Sequence, residues 1–212
     1  MNAQYSHKAT GIDKTDYEKS EMEEIFEDVY KTNRWRKAQG AGSGSIPDNA
    51  KVWFRYLFKA LRKHKPITVH DFGCGPYFLY KDIEWPDEIR YTGYDVSDTA
   101  LERAELNCTN PRAEFIKLTD WNDLPGGNLI IVKEVLQHWP HRHREEFLVS
   151  LQNKYKWVLV QGDLYATVPP DYKFGLVAHE EYPHEKNNQH TVGIWKFNND
   201  PEDRLPTSQR PK

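Results

Sequence analysis

The residues best suited to holding a small molecule lie in the stretch ITVHDFGCGPYFLYKDI, residues 67–83. An apolar run ends in Asp71, and the tripeptide Gly73-Cys74-Gly75 follows with little side-chain bulk. Glycine allows positive φ angles and a close approach of the backbone to a ligand. Asp95 ends the next apolar run, roughly 20 residues beyond the glycines, where an acid that accepts hydrogen bonds from ribose is expected. The pattern predicts a site for a nucleoside-containing ligand.

Short apolar runs that alternate with helical stretches predict the elements that position these residues. Predicted strands are Ile67–Phe72, Ile89–Asp95, Ala113–Leu118, Leu129–Lys133 and Lys156–Gln161. Predicted helices are Tyr77–Ile83, Ser97–Leu106 and Arg142–Asn153. The alternation predicts an α/β fold with a Rossmann-like, doubly wound, mostly parallel sheet. The runs YKFGLVAHEEY and HTVGIWKFN have no helix between them, so we expect them to form a closing antiparallel pair.

Two amphipathic helices are predicted ahead of the sheet. The first covers Thr15–Lys37, the second opens at Pro47, and QGAGSGSIPDNA forms a loop between them. We therefore divide the chain into an N-terminal segment (1–65) with two helices and a Gly/Ser loop that is a lid or faces the substrate. A Rossmann-like catalytic domain (66–198) and a polar tail (199–212) follow.

Composition restricts the class of protein. The chain has 212 residues, 38% hydrophobic, with a formal net charge of −3. A strongly basic domain, the usual footprint of duplex nucleic-acid binding, is absent from this charge balance. Two cysteines, Cys74 and Cys108, are too few for a disulfide framework, and the N-terminus has no apolar signal-peptide core. We expect a soluble cytoplasmic protein without a membrane span.

Two nucleoside cofactors compete for the glycine turn. The dinucleotide fingerprint G-x-G-x-x-G requires a third glycine, and Phe78 occupies that position. Asp71 would repel a pyrophosphate but suits the ammonium group of a methionine moiety. S-adenosylmethionine is therefore favoured over NAD, and a plain tight turn with a capping acid is the remaining interpretation.

The motifs VHDFGCGPY, YTGYDVSD, FIKLTDW and LIIVKEVLQHW follow one another in the order and spacing of class I S-adenosylmethionine-dependent methyltransferases, and the chain resembles that family over roughly residues 68–161. NRWRKAQGAGSGS also looks like the Trp and Ser-Gly-x-Gly-Ser segment of a small, largely uncharacterised sub-group. The present segment departs from that pattern, because it reads Ala-Gly-Ser-Gly-Ser at residues 41–45.

The resemblance implies S-adenosylmethionine as the methyl donor and S-adenosylhomocysteine as the product. It implies that Gly73, Cys74 and Gly75 line the methionine portion and that Asp95 holds the ribose. Val96 would pack on the adenine, Asp120 would face its amine, and Trp121 would flank the ring. Three residues at the end of the fourth predicted strand would border the sulfonium and the acceptor: Lys133, Glu134 and Val135.

Two residues near that strand end are candidates for the chemistry. His138 is the first candidate for a general base, because imidazole titrates near neutrality. Glu134 is the second, as a base or as a carboxylate that orients an amine. The competing interpretations are packing for His138 and a structural ion pair for Glu134. A metal site in WPHRHREE is disfavoured, because histidines two residues apart do not share a helix face.

The segment around Trp35 has several open interpretations. Trp35, Arg36, Ser43 and Ser45 are predicted to face the acceptor, as parts of a lid, an anion-binding surface or a base-stacking platform. A solvated linker is the alternative. The predicted acceptor is an O or N atom of a small molecule. RNA or DNA methylation is disfavoured, and a non-methylating S-adenosylmethionine-binding or -cleaving protein remains open.

Overall fold

A computed structural model describes residues 17–162, 175–184 and 188–196. The predicted polar tail, residues 199–212, lies outside the described residues, as do the first 16 residues, which include the start of the predicted helix Thr15–Lys37. The described residues form four α-helices and seven strands. The helices are α1 (Met22–Lys31), α2 (Lys51–His64), α3 (Asp98–Asn107) and α4 (His141–Leu151). The strands are β1 (Thr68–Phe72), β2 (Arg90–Asp95), β3 (Ala113–Lys117), β4 (Gly127–Lys133), β5 (Tyr155–Gly162), β6 (Gly175–His184) and β7 (Asn188–Lys196).

The strands form one sheet in the order β3-β2-β1-β4-β5-β7-β6. Strands β1 to β5 are parallel to their neighbours, and β7 runs antiparallel to both β5 and β6. The predicted Rossmann-like α/β fold is confirmed. Because the chain order reverses between β1 and β4, the carboxyl ends of these strands flank the crevice in which such sheets bind ligands.

Apolar side chains of the strands point to opposite sides of the sheet and build two cores. Ile130 and Val132 face the side covered by α1 and α4. Leu129 and Ile131 face the side covered by α2 and by an aromatic cluster from the β1–β2 connection. Burial on both faces explains why β4 is a continuous apolar run in the sequence.

The predicted helix Tyr77–Ile83 is wrong. Tyr77 has a positive φ of 57°, and the segment forms successive three-residue turns, with the Tyr80 amide donating to the Tyr77 carbonyl at 3.1 Å. Tertiary contacts of the aromatic rings override helix propensity here. The Trp85 indole donates to the Tyr77 hydroxyl at 2.8 Å and the Trp53 indole donates to the Tyr80 hydroxyl at 2.9 Å.

The first predicted helix, Thr15–Lys37, is shorter than expected, since α1 ends at Lys31 and Asn33 has a positive φ of 49°. The second begins with a 3-10 turn at Pro47–Ala50 and continues as α2. In α3, the Ser97 hydroxyl caps the first turn by accepting from the Ala100 amide at 3.1 Å. No helix within the described ranges is both long and apolar enough to cross a membrane.

Candidate functional site

A cavity of about 550 Å³ lies at the carboxyl ends of β1, β2 and β4. One wall consists of the glycine turn after β1, the end of β2 and the residues that follow β4. The opposite wall is α1 together with residues 33–45, which connect α1 to the turn before α2 and which we call the cover segment. The cavity is within the size range of small-molecule and cofactor sites.

Of the predicted site residues, thirteen line this cavity, although they come from four separate stretches of sequence. They are Trp35, Arg36, Ser43, Ser45, Gly73, Cys74, Gly75, Asp95, Val96, Lys133, Glu134, Val135 and His138. Asp71, Asp120 and Trp121 are absent from the lining.

The glycine turn is required by sterics. Gly73 has a φ of +72°, and a Cβ atom there would lie 2.4 Å from the Cγ2 atom of Val135. Gly75 has a φ of +56°, and its Cβ would lie 3.0 Å from the Tyr30 hydroxyl. The amides of Gly73 and Cys74 both donate to the Tyr94 carbonyl, at 2.8 and 3.0 Å. The turn is therefore fixed against β2, and its two glycines allow Val135 and Tyr30 to pack closely against it.

Asp95 is the buried acid of the cavity. Its carboxylate accepts from the Gly75 amide at 2.9 Å and from the Ser97 amide at 3.0 Å. Burial raises the pKa of Asp95 to about 6, although the hydrogen bonds from these backbone amides oppose the shift. Each carboxylate oxygen has a second lone pair, so the group can accept further hydrogen bonds from a ligand.

Asp71 points away from the cavity. It is 2% exposed and accepts a 2.6 Å hydrogen bond from the Tyr91 hydroxyl, on the side of the aromatic core. Burial raises the pKa of Asp71 to about 7, while the Tyr91 hydrogen bond opposes the shift. In this orientation the Asp71 carboxylate does not point to where the methionine ammonium was expected to bind.

Asp120 and Trp121 also lie apart from the lining. Asp120 forms an ion pair with Lys19 and caps the following turn through the Asn122 amide at 2.7 Å. Trp121 is 4% exposed and stacks on Trp139, with ring centroids 5.2 Å apart. It is Trp139 that reaches the cavity.

His138 lies under Trp35. The two rings stack with centroids 4.8 Å apart and planes 25° apart, while Phe26 approaches the edges of both at 6.4 Å. His138 is buried, and its carbonyl accepts from the Tyr17 hydroxyl at 2.8 Å. Its position is consistent with either of the predicted roles, since the ring reaches the cavity and is also packed.

Glu134 belongs to a buried ion pair under the cover segment. Its carboxylate accepts from Lys133 Nζ at 2.9 Å and from Gln161 Nε2 at 2.8 Å. Lys133 Nζ also donates to the Gly44 carbonyl at 2.7 Å. The exposed fractions of the Lys133 and Glu134 side chains are 6% and 15%. The arrangement, which we call the latch, ties the cover segment to the end of β4.

Sequence reasoning missed several cavity residues. Met22, Phe26 and Tyr30 of α1 and Gln137 line the cavity. The periodicity of α1 predicts a buried face but cannot distinguish the core of a protein from the wall of a cavity. Glu27 of α1 binds the start of α3, because its carboxylate accepts from the Thr99 hydroxyl at 2.7 Å and from the Ser97 hydroxyl at 2.5 Å. These contacts place α1 against the end of β2.

Within the described part of the chain, no group of three or more His, Cys, Asp or Glu side chains could hold a metal ion. Cys74 is among the lining residues, but its Sγ lies beside Gly93 of β2. Burial raises the pKa of its thiol well above the ordinary value, next to the carboxylates of Asp95 and Asp71. The thiol is therefore neutral and a poor nucleophile.

Solved structures supply the comparison with known proteins. The chain is similar to magnesium protoporphyrin IX methyltransferase from Synechocystis with bound S-adenosylmethionine, at a TM-score of 0.63 and 15% identity, covering 86% of this chain and 99% of that one. The chain is also similar to an S-adenosylmethionine-dependent methyltransferase from Anabaena variabilis, with a TM-score of 0.62 and 16% identity, over 88% of this chain and 98% of that one. The similarity to the N-methyltransferase NodS from Bradyrhizobium japonicum in complex with S-adenosylhomocysteine has a TM-score of 0.61 and 12% identity, over 80% of this chain and 98% of that one.

No family model matches the sequence, and no curated protein matches it. The three structural similarities span nearly the whole of each solved chain, and they show the fold. The chain has the fold of the class I S-adenosylmethionine-dependent methyltransferases.

Proposed function

We propose that this protein is an S-adenosylmethionine-dependent methyltransferase that acts on an O or N atom of a small molecule. The observation that carries the proposal is the cavity at the carboxyl ends of β1, β2 and β4, where the glycine turn and the buried carboxylate of Asp95 meet. The fold shared with three solved methyltransferases supports the same class of reaction.

The residues of the cavity fit S-adenosylmethionine. At Gly73 and Gly75 the absence of a Cβ atom lets the cavity residues Val135 and Tyr30 pack closely against the turn. Asp95 offers unused lone pairs to the ribose hydroxyls. Val96, Leu118 and Met22 supply an apolar surface suited to adenine. In this assignment Asp71, Asp120 and Trp121 support the site from outside its lining.

S-adenosylmethionine, when bound, supplies an electrophilic methyl group, and the protein's task is orientation. Holding the acceptor in line with the donor is worth as much as ~7–11 kcal/mol of the barrier. Lys133 and Val135 border the cavity at the end of β4 and limit how the two molecules meet. His138 is the proposed base, and Trp35 stacked on its ring fixes the imidazole plane.

Glu134 has a weaker case as a base. Its carboxylate already accepts from Lys133 and Gln161, and the Gly44 backbone lies against it. A carboxylate held by a lysine is a poor proton acceptor, because the nearby positive charge favours its ionised form. We propose that Glu134 holds the cover segment over the cavity and does not transfer a proton.

Basic side chains lie in two places: Arg34 and Arg36 line the cavity, and a second basic stretch ends α2. The basic stretch at the end of α2 immediately precedes β1, so Arg62 and Lys63 lie at the amino end of that strand. The cavity lies at the carboxyl end, on the opposite edge of the sheet. A nucleic acid bound at this end of α2 would therefore lie on the opposite edge of the sheet from the cavity, and the cavity itself has the size of a small-molecule site.

The test couples binding and turnover. Purified protein is incubated with S-adenosylmethionine and pools of small hydroxyl and amine compounds, and methylated products are detected by mass spectrometry. We expect a product with one acceptor class, and we expect His138→Ala to lower turnover far more than affinity for S-adenosylhomocysteine. Equal losses of both would assign His138 to packing. Cofactor binding with S-adenosylmethionine breakdown and no methylated product would indicate a cleaving protein.

A further inference from the structure

The cover segment has a backbone that its own sequence disfavours. Positive φ angles occur at six of its residues. Two of them are the glycines Gly40 and Gly42, and the other four are Asn33, Arg36, Ala38 and Gln39. Side chains other than glycine rarely adopt this conformation, because Cβ crowds the following carbonyl oxygen. Contacts from elsewhere in the fold must therefore hold the segment in place.

Arg103 of α3 supplies the central contact. Its Nη1 atom donates to the Tyr30 carbonyl at 3.1 Å and to the Gln39 carbonyl at 2.8 Å. Tyr30 lies in the last turn of α1, and Gln39 lies in the middle of the cover segment. One guanidinium nitrogen therefore joins the start of the connection to its strained centre, with a charge-assisted donor.

A second contact lies beside the first. The Asn107 amide donates to the Gln39 side-chain oxygen at 2.6 Å and to the Pro76 carbonyl at 2.8 Å. Gly40 is buried in the same place, and a Cβ atom there would lie 3.4 Å from Arg103 Nη1. Neither Arg103 nor Asn107 lines the cavity.

We propose that Arg103 is a positioning residue for the cofactor cavity, acting through the cover segment, and this inference rests on the proposed function. By fixing Gln39, Arg103 sets the position of Trp35 on one side and of Ala41 on the other. Trp35 stacks on His138, and Ala41 approaches the glycine turn at Gly75. The latch at Gly44 then fixes the far end of the same segment.

The experiment compares full-length Arg103→Ala and Arg103→Lys with wild type and with Arg112→Ala. Arg112 is the matched control, because its guanidinium pairs with exposed Asp87 at 2.9 Å, away from the cover segment. Three quantities are measured: the Kd for S-adenosylhomocysteine by calorimetry, the melting temperature, and the rate of trypsin cleavage at Lys37 relative to cleavage at Arg62 in α2.

We expect Arg103→Ala to weaken S-adenosylhomocysteine binding about tenfold and to raise the relative cleavage at Lys37 by a similar factor. Arg103→Lys keeps a charged donor and should recover part of both effects, while Arg112→Ala should change neither. A merely structural role would lower the melting temperature and raise cleavage at both sites alike. Unchanged affinity and unchanged relative cleavage in a folded Arg103→Ala protein would overturn the proposal.

Two further outcomes can be told apart: an Arg103→Ala protein that does not fold, and a wild-type protein that does not bind S-adenosylhomocysteine. If Arg103→Ala does not fold, Arg103→Met keeps the length of the side chain but removes the donor to the Tyr30 and Gln39 carbonyls, and it should shift both readouts in the same direction; no shift would refute the positioning role. If wild type itself does not bind S-adenosylhomocysteine, the proposed function fails. The relative cleavage at Lys37 then still reports whether Arg103 holds the cover segment.

Discussion

Replacing Gly44 with alanine tests the latch between the cover segment and β4. The new Cβ atom would lie 1.6 Å from Glu134 Oε2, so the two must separate by about 1.4 Å to reach the 3.0 Å below which real Cβ contacts essentially do not occur. Gly44 is not among the positive-φ residues, so backbone strain does not enter. The substitution is therefore a steric probe of one contact.

The loss of stability expected for Gly44→Ala depends on which of two movements relieves this clash. If the cover segment lifts, Lys133 loses its hydrogen bond to the Gly44 carbonyl, which is worth about 1.5–3 kcal/mol for a charged donor. If Glu134 moves instead, Lys133 is left buried without its carboxylate, which costs about 3–5 kcal/mol. The first route costs less, so we expect a loss of about 2 kcal/mol, or about 4–8 °C in melting temperature for a chain of this size.

The assay is thermal and urea unfolding of Gly44→Ala, with Ser45→Ala as a control expected to stay within about 0.5 kcal/mol of wild type. The decisive comparison is a double-mutant cycle with Glu134→Ala, in which the methyl group no longer meets a carboxylate. There, Gly44→Ala should cost less than about 0.5 kcal/mol. Additive losses in the cycle would show that Gly44 and Glu134 are not in contact, and the latch would be refuted.

Three other predictions concern the acids of the site. Because the pKa of Asp95 is raised to about 6, affinity for S-adenosylhomocysteine should fall about tenfold between pH 7 and pH 5 as the carboxylate is protonated, and Asp95→Asn should show no such dependence in calorimetry; a flat wild-type profile would contradict this. The folded-state pKa of Asp71 is raised to about 7, so the stability that this group contributes is fully present below about pH 4 and is lost as pH rises to about 7. Asp71→Asn should therefore gain on wild type by up to about 4 kcal/mol at pH 8 in urea unfolding, and equal pH profiles would count against it. Asp120→Ala should leave S-adenosylhomocysteine affinity within about twofold, since its carboxylate is held by Lys19; a tenfold loss would place it at the adenine.

The parallel sheet could be predicted because its signals are local. Strands β4 and β5 contain continuous apolar runs, and in β1 to β3 apolar or aromatic residues are interspersed with polar ones. Gly73, Gly75 and Asp95 stand at strand ends, where the topology alone brings them together. No tertiary detail is needed to expect a cavity there.

The direction of side chains could not be predicted in the same way. Asp71 is in the expected place along the chain, but its carboxylate turns to Tyr91 and away from the cavity. Trp121 is buried under Trp139, so the neighbouring indole reaches the cavity in its place. Strand-end position fixes where a residue is, whereas the packing of residues distant in sequence decides what its side chain touches.

The cover segment illustrates a further limit. Its glycines and serines predict a loop, yet the structure is held by Arg103, Asn107 and Lys133, which lie 60 or more residues away. Four non-glycine residues adopt positive φ angles there, which no propensity argument would anticipate. Long-range contacts of this kind are invisible in a single sequence.

Binding of S-adenosylmethionine in the cavity is tested by calorimetric titration of the wild-type protein and Asp95→Ala with S-adenosylhomocysteine, with NAD as the comparison ligand. We expect micromolar binding of S-adenosylhomocysteine to wild type, loss of that binding in Asp95→Ala, and no binding of NAD. Failure of wild type to bind S-adenosylhomocysteine, or equal binding by Asp95→Ala, would contradict this expectation.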